Sequence, residues 1–90
     1  MAVIRIPSQL RIHTESHEKI EYSGAVLQDI LVKLLKQYPA LKPYLLDERG
    51  EIVSFVTVYL NGQDIRFLNH QQTPINERDI ISIVPAIAGG

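Results

Sequence analysis

Apolar residues recur along this chain with two different periods, and each change of period marks an element. Ile4 and Ile6 fall on one side of an extended segment, with Val3 and Arg5 on the other. That alternation predicts a first strand. Pro7 cannot donate to a ladder and ends its pairing. Residues 10–16 are polar and read as a turn. Lys19-Ile20-Glu21-Tyr22 alternates again and predicts a second strand, antiparallel to the first through a connection longer than a tight hairpin. Ser23-Gly24 breaks the alternation. Val26, Leu27, Ile30, Leu31, Leu34, Leu35 and Tyr38 then recur with helical spacing and form one apolar stripe. Gln28, Asp29, Lys33 and Lys36 take the other side, and Asp29 and Lys33 are spaced to pair. Pro39 stops this helix. Ser23 is the candidate cap, although neither an acid nor an amide stands three residues after it.

The second half returns to strands. A short helical turn is expected within residues 40–46, around Pro43, and a tight turn at Asp47-Glu48-Arg49-Gly50. The later part of residues 52–60, Val56-Thr57-Val58-Tyr59-Leu60, is the strongest strand signal in the chain. Asn61-Gly62 follows at once and predicts a two-residue hairpin turn with positive φ at both positions. Residues 63–67 would pair back, with Ile65 and Phe67 on one side and Asp64, Arg66 and Leu68 on the other. A polar loop around Pro74 leads to Ile80-Ile81-Ser82-Ile83-Val84, which is apolar almost throughout, as an inner strand should be. Pro85 ends it. The last strand can lie beside the first. The order predicts an α+β fold, a mixed sheet of four to five strands with one main helix across one face.

Composition narrows the class of partner. The chain has 90 residues, is 46% hydrophobic and carries a net charge of −1. It should form one domain, residues 1–85, followed by a tail, residues 86–90. Its cations are scattered, which argues against nucleic acid. No apolar run approaches the roughly 20 residues of a membrane span. No basic stretch followed by a long apolar segment opens the chain, so a cytoplasmic location is expected. With no cysteine, disulfides, thiolate metal sites and a thiol nucleophile are excluded.

The chemistry then falls on Ala86-Ile87-Ala88-Gly89-Gly90. Two residues without Cβ can thread a channel closed to any other side chain. Gly90 offers a terminal carboxylate. That group becomes an electrophile once adenylation by ATP turns its oxygen into a leaving group. The alternative reading is a frayed terminus.

Several stretches bear on this choice: Phe55-Val56-Thr57-Val58-Tyr59-Leu60-Asn61-Gly62, Asp64-Ile65-Arg66-Phe67, and Ile83-Val84-Pro85 running into Ala86-Ile87-Ala88-Gly89-Gly90. Ile6-Pro7 and Leu10-Arg11 join them. With the order of elements, they make the chain resemble, over essentially its whole length, the ubiquitin-like sulfur carriers with the β-grasp fold. Those include the small subunit of molybdopterin synthase, the thiamine-biosynthesis carrier and the carrier of one route to cysteine. Asp64-Ile65-Arg66-Phe67 and the Pro85-Ala86-Ile87-Ala88 approach are most similar to the cysteine type. The chain differs from many relatives at turn and cap positions: Ala25, Asn69-His70 and Glu77-Arg78-Asp79.

The resemblance implies a carrier that is not itself an enzyme and binds no cofactor. A ubiquitin-activating-type adenylyltransferase would use ATP to adenylate Gly90. A sulfur donor would convert the adenylate to a thiocarboxylate, and Ala86, Ile87, Ala88 and Gly89 would carry it into a partner's active site. The acceptor would be a cysteine synthase-like enzyme or the large subunit of molybdopterin synthase. In the cysteine route a metal-dependent peptidase would release the product. Two other functions remain open: a protein modifier joined through Gly90 to lysine, and a passive ubiquitin-like interaction module.

Two further groups of residues were candidates for function. If Ile65, Phe67, Ile81 and Ile83 pack under the helix, then Arg66, Leu68, Ser82 and Val84 face outward near the tail and form a docking face. His13 and His17 stand four apart with Glu15 and Glu18 nearby. That spacing suits a solvated loop better than a metal site, and no metal is expected.

Overall fold

The computed structural model describes residues 1–86. Five strands form one mixed sheet: β1 (Ala2–Arg5), β2 (Lys19–Tyr22), β3 (Val56–Leu60), β4 (Gln63–Asp64) and β5 (Ile80–Pro85). Their spatial order is β2-β1-β5-β3-β4. β1 and β5 run parallel, with Val3 opposite Ile80 and Arg5 opposite Ser82. The other neighbours are antiparallel. The first and last strands are therefore side by side, as their composition predicted. β5, flanked on both sides, is the central strand.

Helix α1 (Leu27–Gln37) supplies Leu27, Ile30, Leu31 and Leu34 to a single core. Ile4 and Ala2 of β1, Val56 and Val58 of β3, and Ile81 and Ile83 of β5 meet them from the inner face of the sheet. A short 3-10 turn (Pro39–Leu41) and α2 (Lys42–Leu45) add Leu41 and Leu45.

The helix start differs from expectation. Ser23 does not cap it. Asp29, in the first turn, reaches back to accept the backbone N–H groups of Ala25 at 2.9 Å and Val26 at 3.2 Å. The acid therefore follows Val26 by three residues, and Val26 stands where a capping serine would. Gly24 makes this approach possible, since a Cβ there would lie 2.8 Å from the Asp29 Cβ. Lys33, expected beside Asp29, donates instead to the backbone carbonyl of Ser23.

Residues 10–16, read as polar turn, include most of a 3-10 helix (Ser8–Thr14) that buries Leu10 and Thr14. The Thr14 hydroxyl lies 3.0 Å from the His17 carbonyl and 3.3 Å from that of Arg11, so it can be buried without losing its hydrogen bonding. The Asn61-Gly62 turn forms as predicted, with φ of 51° and 84°. Asn61 does more than turn the chain. Its side-chain oxygen accepts the Ile80 N–H at 2.8 Å, which locks the hairpin to the start of β5.

Pro85 ends β5 as expected, and is itself the last residue of the strand. Ala86 N–H donates to Phe55 C=O and Asn61 N–H to Ile80 C=O. The even-numbered residues of β5 therefore bond to β3. The donor that proline lacks falls on the β1 side, where pairing stops at Ser82, so nothing is left unsatisfied.

Candidate functional site

The outer face of the sheet is built by strand parity. Because paired residues share a face, Lys19, Arg5, Ser82, Tyr59 and Asp64 form one row across the strands. Val3 and Ile80 lie on one side of that row, and Thr57 and Val84 on the other. Val84 is 47% exposed and Ile80 43%. Ser82 is half-buried between Arg5 and Tyr59.

Arg66 reaches this row, but not as a strand residue. The expected strand over residues 63–67 is only two residues long, Gln63–Asp64, and then becomes a 3-10 turn, Ile65–Phe67. Asp64 is the cause. Its carboxylate accepts the Arg66 backbone N–H at 2.9 Å, a local bond that competes with the ladder. The parity prediction fails from that point. Ile65 is buried as expected, but Phe67 is 80% exposed. Leu68, expected to face outward, is half-buried against the core. Of the four residues assigned to the docking face, Arg66, Ser82 and Val84 are solvent-accessible on one side of the molecule. Leu68 is drawn inward.

The Arg66 guanidinium grips the Asp64 carboxylate from Nε at 3.0 Å and Nη2 at 2.6 Å. This side-chain bond, followed by the backbone bond and the guanidinium charge, holds the Asp64 carboxyl below the usual carboxylate range. A carboxyl depressed in the folded state contributes stability above its unfolded value of about 3.9, and that contribution is lost as pH falls through the folded value. Asp64→Asn should therefore flatten the acid limb of the stability profile. Urea denaturation between roughly pH 5 and pH 2 would measure this. Parallel profiles for the two proteins would mean that the carboxylate does not hold this turn.

The two histidines point to other work. His13 stacks on Tyr44 with ring centroids 4.9 Å apart. His17 Nδ1 lies 2.8 Å from the Thr14 carbonyl and 3.3 Å from the Tyr38 hydroxyl. Among the described residues, no three acidic or imidazole side chains gather as a metal would need. No described helix is long and apolar enough to cross a membrane.

The sheet face meets the tail at Ala86, whose N–H donates to Phe55 C=O at 2.7 Å. Ile87, Ala88, Gly89 and Gly90 lie outside the described residues. Sequence reasoning missed Arg5, Lys19 and Tyr59 as members of the outer row. The signal was available, because Arg5 already stood opposite Ile4 and Ile6 in the alternation of β1.

Five strands in the order β2-β1-β5-β3-β4, with one helix across the inner face, define a ubiquitin-like β-grasp protein. The model of the ThiS family matches residues 4–90, and the chain belongs to that family of ubiquitin-like sulfur carriers. It is 34% identical over 89 residues to the sulfur carrier protein CysO of Mycobacterium tuberculosis, covering 97% of this chain and 96% of the relative. A chain in the crystal structure of the Amycolatopsis orientalis BexX/CysO complex superposes with a TM-score of 0.92 at 30% identity, over 100% of both chains. Small archaeal modifier protein 3 of Haloferax volcanii is 32% identical over 66 residues, covering 73% of this chain and 71% of the relative.

Proposed function

We propose that this protein carries sulfur as a thiocarboxylate on Gly90 and delivers it in cysteine biosynthesis. The single observation that supports this best is its near end-to-end similarity to CysO, in a family match that runs through Gly89 and Gly90.

The Gly90 carboxylate oxygen attacks the α-phosphorus of ATP on an adenylyltransferase, and pyrophosphate leaves. Hydrosulfide released by a sulfur donor then attacks the acyl carbon, AMP leaves and the S–H proton passes to solvent, so that one carboxylate oxygen has been exchanged for sulfur. The thiocarboxylate is a softer and stronger nucleophile than the carboxylate. Its sulfur adds to the β-carbon of an aminoacrylate held on a cysteine synthase-like enzyme. The resulting thioester passes its acyl group from sulfur to the amino nitrogen. A metal-dependent peptidase adds water across that amide, which releases cysteine and restores Gly90. The chain itself is a co-substrate in the cytoplasm. It contributes a nucleophile on an arm whose last two residues, Gly89 and Gly90, have no side chain, and a face for docking.

Intact mass of the protein purified from its own cells tests the tail chemistry. The expected species has sulfur in place of one oxygen at Gly90. Reconstitution with each acceptor tests the destination. Thiocarboxylated protein should pass sulfur to the aminoacrylate enzyme. Transfer to a pterin precursor alone would move the protein to molybdopterin synthesis and leave the carrier role standing.

A second reading has its own support in the similarity to small archaeal modifier protein 3. In that reading the activated Gly90 acyl group goes to a lysine amine. A branched peptide joining Gly90 to lysine in cell extracts, with no thiocarboxylate detected, would favour it.

A further inference from the structure

The outer row of the sheet contains an arrangement that works against the fold. Arg5 of β1 and Lys19 of β2 are directly opposite one another on the same face. Ile6 N–H donates to Glu18 C=O, so the bonded pairs are those at even positions. Arg5 and Lys19 are therefore a non-bonded pair, in which side chains approach most closely. Like charges in that position destabilise a sheet. The ion pairs among the described residues are Arg11–Glu18, Arg49–Glu51 and Arg66–Asp64. Neither Arg5 nor Lys19 takes part in one. Glu18 lies 3.9 Å from the Arg11 guanidinium, and Glu21, opposite Val3 on the same face as Arg5 and Lys19, forms an ion pair with neither of them.

Arg5, Lys19 and Arg11 line a groove of about 300 Å³ together with one acid, Glu18, and with Ile6, Ser82 and Val84. Val84 is two residues before Ala86, where the tail leaves the sheet. The groove thus carries three cations against one acid on its β1–β2 side, and it opens where a tail-receiving enzyme must approach. Local conflict in an otherwise consistent sheet is expected where a surface serves something other than folding.

We infer that this groove receives an acidic segment of the enzyme that takes the tail, with carboxylates of that segment neutralising Arg5 and Lys19. The inference rests on the tail-transfer reading above. The complex adds counter-charge to a groove in which cations outnumber acids, so the contact both steers encounter and relieves the repulsion. It also moves the centre of the docking face from the Arg66 side of the sheet to the β1–β2 side.

The test is ATP–pyrophosphate exchange with the adenylyltransferase of the same cells, at low and high sodium chloride. Arg5→Glu combined with Lys19→Glu should raise the KM for the carrier by about tenfold or more at low salt, with kcat unchanged. High salt should raise the wild-type KM and lower that of the charge-reversed variant, because screening weakens attraction and repulsion alike. Arg5→Gln combined with Lys19→Gln should show an intermediate KM and a thermal midpoint no lower than wild type, which separates docking from misfolding. Arg49→Glu, on an exposed turn away from the sheet face, controls for net charge. Equal KM values for wild type and the Arg5/Lys19 variants, or an equal rise with Arg49→Glu, would overturn the groove assignment alone. A wild-type protein that supports no exchange would overturn the tail chemistry and the groove assignment together.

Discussion

Removing Gly90, or adding one residue after it, is expected to abolish activation while leaving the fold intact. The reacting carbonyl would move by one residue, about 3.5 Å along an extended chain. Misplacement of 1 Å can already cost about 100-fold when a bound group must meet its reaction partner in line. Loss of ATP–pyrophosphate exchange by more than about 100-fold is therefore the expected result. The thermal midpoint should not move. The buried core ends at Ile83 among the described residues, and Ala86 is exposed. Undiminished exchange by the truncated protein would remove Gly90 from the mechanism.

Ile81→Ala should give the largest loss of stability. Ile81 is fully buried on the central strand. Its inner face is flanked by Ile4 of β1 and Leu60 of β3. Truncation leaves a cavity that neighbours on both sides are too constrained to fill. The expected cost is about 2–5 kcal/mol. For a domain of this size that lowers the thermal midpoint by at least about 10 °C. Three residues along the same strand, Val84→Ala removes a side chain on the outer face, and its effect should stay within about 0.5 kcal/mol. Urea denaturation with an unchanged m-value would measure both. A larger loss for Val84→Ala than for Ile81→Ala would mean that the two faces of β5 have been exchanged.

The parts of this architecture set by period were readable from residues alone. The α1 stripe, the alternation of β1 and β2, and the near-continuous apolar run of β5 each impose a face. The burial of Ile4, Leu27, Leu34, Ile81 and Ile83 follows from them. Asn61-Gly62 was readable because few residue pairs tolerate that backbone. Features set by a single side chain-to-backbone bond were not readable. Asp64 ends β4 with one carboxylate, and that bond reverses the facing of Phe67 and Leu68. Asp29 caps α1 from inside its first turn, where a search for a hydroxyl ahead of the helix finds nothing. The outer cationic pair was hidden for another reason. It depends on the register between β1 and β2, and a long connection leaves register undetermined by sequence.

The parallel pairing of β1 with β5 also sets the order in which the molecule can be made. Synthesis yields β1, β2, α1 and β3 first, yet β1 and β3 have no contact surface in common until β5 enters between them. Until then, Ile4 and Val58 border open strand edges, the condition in which chains most readily associate with one another. Closing the sheet joins Val3 to Ile80, close to the two ends of the chain, so the decisive step is a long loop closure and a slow one. The strand that completes the fold is also the strand that leads into residues 86–90, the arm that the proposed function makes reactive. A chain that has been synthesised but has not closed its sheet would therefore present Gly89-Gly90 with no sheet face behind it. An enzyme that requires both will charge only molecules whose folding is complete.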